Sequence, residues 1–93
     1  MTATPAQVAN DLALQADYFA KRDHDIAQLC RDSAKVIRAM IAGQAVDGRT
    51  LRGVMTRLQG YNARPRAAVP SQIDKSLDRA LVTLRVLSGG AQT

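Results

Sequence analysis

An all-α domain, a small helical bundle of three or four helices, is the architecture this chain specifies, and three observations carry that expectation. Ala, Leu and Val dominate the apolar residues, while Tyr18, Phe19 and Tyr61 are the only aromatics. That composition suits helices packed through aliphatic side chains and gives a sheet little to build on. The stretch from Asp23 to Gly43 has the clearest period in the chain. Turned at about 100° per residue, it puts Ile26, Leu29, Cys30, Ser33, Ile37, Met40 and Ile41 on one face and Arg31, Asp32, Lys35 and Arg38 on the other. Helix-start residues stand at Thr4, Asp23 and Ser71, each able to accept a bond from an unpaired first-turn N–H. At 93 residues the chain reads as a single domain, 1–93, large enough to need no disulfide or metal.

The first helix opens at Thr4-Pro5-Ala6-Gln7, which combines a Thr cap, Pro at the first helical position and Gln placed for a capping box. Val8, Leu12, Ala16 and Phe19 share its core face, and Leu14 and Tyr18 form a second, weaker stripe. Its end is ambiguous. Lys21 and Arg22 suit a last turn and Asp23 a new cap, but no Gly or Pro marks a hairpin there. The helical phase of Val8, Leu12 and Phe19 runs on to Ile26, so one long or kinked helix from Pro5 to Ala42 is favoured over two antiparallel helices with a turn at Lys21 to Asp23.

Gly43 is placed to take the left-handed conformation that stops this helix. After a short connection, Asp47 is positioned to cap GRTLRGVMTRLQG, whose Leu51, Val54, Met55 and Leu58 form an apolar face and whose end is expected at Gly60. YNARPRAAVP has no helical period and reads as a loop, with Pro65 and Pro70 biasing Arg64 and Val69 to extended backbone. Ser71 caps the last helix, with Asp74 in its first turn and Ile73, Leu77, Ala80, Leu81, Leu84 and Leu87 on its core face. Val82 and Val86 lie on the opposite side, one turn apart.

The net charge of +5 is unevenly spread. Residues 48 to 69 carry Arg49, Arg52, Arg57, Arg64 and Arg66 with no acid at all. Such asymmetry bears on partners rather than on fold. Residues 1–7 lack the basic start and apolar run of a signal peptide, and no apolar segment approaches the roughly 20 residues of a membrane span, so a soluble cytoplasmic protein with no membrane role is expected. The lone Cys30 has no partner for an intrachain disulfide and falls on the apolar face as a small buried hydrophobe.

Catalytic and metal-binding arrangements are not legible. His24 and Cys30 project to different faces of one helix and cannot both aim at one ion. Asp23 with Asp25 reads as a helix start, and Asp74 with Asp78 as part of a solvated face. No phosphate-binding glycine loop, Ser/His/Asp arrangement or HExxH pair is present. The expectation is therefore no enzyme, no cofactor and no metal.

The basic third helix is the candidate site. Arg49, Arg52 and Arg57 flank the side away from the core, with Gly53, Thr56 and Gly60 between them, making a face both small and positive. A Gly within an exposed helix costs about 1 kcal/mol against Ala, which is easier to understand if a partner approaches the backbone at Gly53. Arg64 and Arg66 extend the patch from the following loop. A helix-turn-helix is not supported: Ala39 and Gly43 have suitable spacing, but the next apolar positions of that motif fall on Arg49 and Arg52. Base stacking has only Tyr61 to offer near these arginines. The expected function is a non-catalytic helical interaction module, a small regulator, adaptor, inhibitor or assembly component, that binds an acidic partner through Arg49, Arg52, Gly53, Thr56, Arg57, Arg64 and Arg66. The alternative is a dimeric nucleic-acid-binding regulator with the same arginines on phosphates. Leu14, Tyr18, Val82 and Val86 are the candidate seam of a homodimer.

Overall fold

A computed structural model describes residues 3–65 and 71–89. Four helices follow in order, α1 (Pro5–Phe19), α2 (His24–Ile41), α3 (Gly48–Asn62) and α4 (Gln72–Leu87), and no strand occurs among the described residues. The chain is a small all-α bundle.

Local chemistry sets most of the boundaries. Thr4 and Gln7 form a reciprocal capping box, with Gln7 N–H donating to Thr4 Oγ1 at 3.2 Å and Thr4 N–H to Gln7 Oε1 at 2.9 Å. Ser71 and Asp74 make the same box at the head of α4. At the end of α2 Gly43 takes φ +74°, and the Gln44 N–H reaches back to the Ala39 carbonyl at 2.9 Å. That long backward bond fills a carbonyl the helix leaves open.

The favoured continuous helix from Pro5 to Ala42 does not form; α1 ends at Phe19 and the chain turns through Ala20 to Asp23. The Phe19 carbonyl accepts from both the Arg22 and Asp23 N–H at 2.9 Å, while Asp23 swings to extended backbone at φ −151°. Its carboxylate then accepts from the Asp25 and Ile26 N–H at 3.1 Å. A new cap outweighs the continuous phase. No glycine is needed, because Ala20 stays right-handed at φ −51° and no non-glycine residue among those described has positive φ. The shared phase of Leu12, Phe19 and Ile26 arises because both helices turn the same side toward one core.

Two smaller expectations also shift. Gly60 does not end α3, which runs on to Asn62. Gly60 has no left-handed φ and so remains helical, carrying Tyr61 round to pack against the core. The Asp47 side chain does not accept a backbone N–H at the head of α3; its carboxylate takes the Thr50 hydroxyl at 3.4 Å instead. Much of the expected loop, residues 66–70, lies outside the described residues.

The core draws on every helix: Leu12, Ile37, Leu58, Leu77 and Leu84 are fully buried. α2 packs against α1, α3 and α4, and α4 likewise touches the other three, whereas α1 and α3 do not meet. They stand on opposite corners. Because α2 is covered from three sides, its buried face is wider than one stripe and takes in Val36 as well as Ile37. Ile41, grouped with that face from its phase, is 47% exposed on the final turn. Ser76 donates to Asp11, a polar link between α4 and α1 inside the bundle.

Candidate partner-binding surface

α3 sits at a corner, touching only α2 and α4. Val54 and Leu58 are buried, with Leu51, Met55 and Tyr61 packed against the core. A helix anchored on one side at a corner leaves the other side to solvent. Arg49, Arg52, Gly53, Thr56 and Gly60 occupy that outer side and all are exposed. Arg49 and Arg52 have no hydrogen-bond or ion-pair partner among the described residues. A Cβ added at Gly53 or Gly60 would meet nothing within 4 Å. No contact among the described residues requires either glycine.

Arg57 and Arg64 are not on that face. Arg57 turns toward α2, where its guanidinium donates to Asp32 Oδ2 at 2.7 and 3.0 Å. Arg64 stacks on the Tyr61 ring with its guanidinium carbon 4.0 Å from the centroid. Tyr61 is itself held, its hydroxyl donating to Asp74 at 3.2 Å. Burial, and then the Asp74 carboxylate, pushes its phenol above the ordinary value. Arg57 and Arg64 line a hollow of about 320 Å³ together with Asp23 and Asp25. Arg66 lies outside the described residues. The patch expected from sequence thus resolves into Arg49 and Arg52 on open helix surface, and Arg57 and Arg64 engaged beside it.

The candidate seam is exposed but divided. Leu14, Tyr18, Val82 and Val86 show 68%, 55%, 58% and 70% exposure. The Asp11–Ser76 contact fixes how α1 and α4 run past one another. Leu14 and Tyr18 lie beside Ser71, Gln72 and Ile73 at the start of α4, whereas Val82 lies beside Ala3 and Gln7 at the start of α1. These are two separate spots at opposite ends of the pair. Tyr18 is also covered in part by Arg22, whose guanidinium carbon stands 4.2 Å from the ring centroid.

His24 is exposed and Cys30 is buried, on different sides of α2. Burial, and secondarily the Asp11 carboxylate, pushes the Cys30 thiol up to about 11. At neutral pH it is therefore a protonated, poorly nucleophilic group. No cluster of three or more His, Cys, Asp or Glu able to hold a metal occurs among the described residues, and none of their helices is long and apolar enough to cross a membrane.

One feature escaped the sequence, a furrow between α1 and α2 edged by Arg31, Lys35 and Arg38. These three read as an ordinary solvated face. The signal was present in their spacing of four and three residues, and in alanines at positions 13, 16, 34, 39 and 42, but its meaning depends on α1 folding back alongside.

No protein family, no curated protein and no solved structure matches the chain.

Proposed function

We propose that this chain is a non-catalytic interaction module that holds an acidic protein partner against the outer face of α3. One observation carries the proposal: Arg49 and Arg52, without partners among the described residues, flank Gly53 on exposed helix surface with open space above it. The glycine permits close approach of a partner backbone, and the two guanidiniums supply paired donors for its carboxylates. Thr56 and Gly60 continue the small strip along the same side. Because Arg57 is already neutralised by Asp32, fewer cations remain for a phosphate backbone than the sequence offers, which favours a protein partner over nucleic acid.

Fluorescence anisotropy tests this directly. Labelled acidic peptide, duplex DNA and single-stranded RNA are titrated with the protein over a salt series, beside an Arg49→Ala/Arg52→Ala variant. Peptide binding lost in the variant, with shallow salt dependence, is the expected outcome. Tighter nucleic-acid binding with a steep log–log salt slope would transfer the same arginines to phosphates and replace the proposal.

A further inference from the structure

The outer side of the α1/α2 hairpin carries a furrow that the other described residues leave open. Ala13 and Ala16 of α1, Ala34 and Ala39 of α2 and Ala42 just past its end line it, and the space above them measures about 540 Å³. Arg31, Lys35 and Arg38 stand on the α2 side and Asp17 on the α1 side. Spaced four and three residues apart, the cations form a row ~10 Å long on one side of the helix. All three are exposed. Arg38 donates to the neutral amide oxygen of Asn10 at 3.1 Å, and Arg31 and Lys35 pair with nothing among the described residues. An apolar floor, a positive edge and a single opposing acid are brought together only by the hairpin.

We propose that this furrow docks one amphipathic helix of an acidic partner protein. The helix sets large apolar side chains over the alanines and a row of carboxylates, spaced four and three residues apart, against Arg31, Lys35 and Arg38. The groove between two packed helices is the natural seat for a third, and small residues on its floor let the axes approach to about 8 Å. Three cations facing one acid select a negatively charged flank on the α2 side and leave Asp17 for a basic residue on the other. A phosphate backbone would satisfy the arginines but leave the alanine floor wet. The inference does not rest on the α3 face: α1 and α3 make no contact, and each surface is tested by its own residues.

The probe is a fluorescein-labelled peptide of about 18 residues, with Leu at positions i, i+3, i+4 and i+7 and Glu along one flank, beside a scrambled peptide of identical composition. Both are titrated against the full chain by anisotropy, and the contact is mapped by amide shifts in ¹⁵N spectra. The patterned peptide is expected to bind about tenfold tighter than the scramble, and to shift Ala13, Ala34 and Ala39 in the Arg49→Ala/Arg52→Ala variant as in the wild type. Arg31→Glu/Lys35→Glu, on exposed positions, is expected to weaken it about tenfold or more. Ala39→Leu, which narrows the furrow, is expected to weaken it with the charges intact. Equal binding of the scramble, shifts confined to the Arg49 and Arg52 face, duplex DNA occupying the furrow in place of the peptide, or no binding at low salt would each overturn the inference.

Discussion

Arg57 places its guanidinium on Asp32 Oδ2 at 2.7 and 3.0 Å, tying α3 to α2 across 25 residues of chain. Its side chain is 46% exposed and that of Asp32 31%, so solvent screens the attraction. A double-mutant cycle with Arg57→Ala and Asp32→Ala, followed by urea unfolding, should give a coupling of about 0.5 kcal/mol at low salt and less at high salt. A coupling several times larger would mean that the pair is far better shielded than its exposure indicates.

The glycines of α3 make a prediction of the opposite sign. Gly53 and Gly60 lie in the helix with nothing within 4 Å of an added Cβ. Gly53→Ala and Gly60→Ala should therefore each stabilise the protein by about 0.5–1 kcal/mol, through backbone entropy and helix propensity alone. Thermal unfolding reads this directly. If Gly53→Ala stabilises the fold while weakening partner binding, the glycine serves the interface and not the helix.

Two buried serines should behave differently. Ser33 Oγ is buried with no hydrogen-bond partner, so Ser33→Ala removes a desolvated hydroxyl and should leave stability unchanged or raise it by about 1 kcal/mol. Ser76, equally buried, donates to Asp11. Ser76→Ala leaves that half-buried carboxylate without its donor and should cost about 1–3 kcal/mol. Urea denaturation of the two variants side by side checks the contrast, and equal effects would contradict it.

The raised Cys30 thiol fixes the sign of an alkaline transition. A group that holds its proton more tightly when folded contributes no loss below its unfolded value. As pH rises from 9.0 towards about 11 the unfolded chain ionises first and is favoured, so stability falls across that window. Tyr61, also raised by burial, adds to the decline at higher pH. The slope of unfolding free energy between pH 9 and 11 should be shallower in Cys30→Ala than in the wild type, and shallower again when Tyr61→Phe is added. An unchanged slope in Cys30→Ala would mean that the thiol ionises alike in both states.

What the sequence determined by itself is local. Thr4, Asp23 and Ser71 act as caps because their side chains reach N–H groups two or three residues away, and Gly43 stops α2 because it alone there tolerates φ +74°. The buried faces of the helices follow from the repeat of aliphatic residues, and with them the all-α class and most of the core. Tertiary structure decided whatever depends on which face meets which. Helical phase could not separate one long helix from two helices turned toward a common core, because both satisfy the same period. The cap at Asp23 settled it in favour of the hairpin. Periodicity likewise grouped Arg57 with Arg49 and Arg52, but only the approach of α2 supplied Asp32 and withdrew Arg57 from the outer face. The furrow edged by Arg31, Lys35 and Arg38 belongs to the same class. A row of cations on a solvated helix acquires a floor only when a second helix, folded back through the turn at Ala20 to Asp23, lays its alanines beside it.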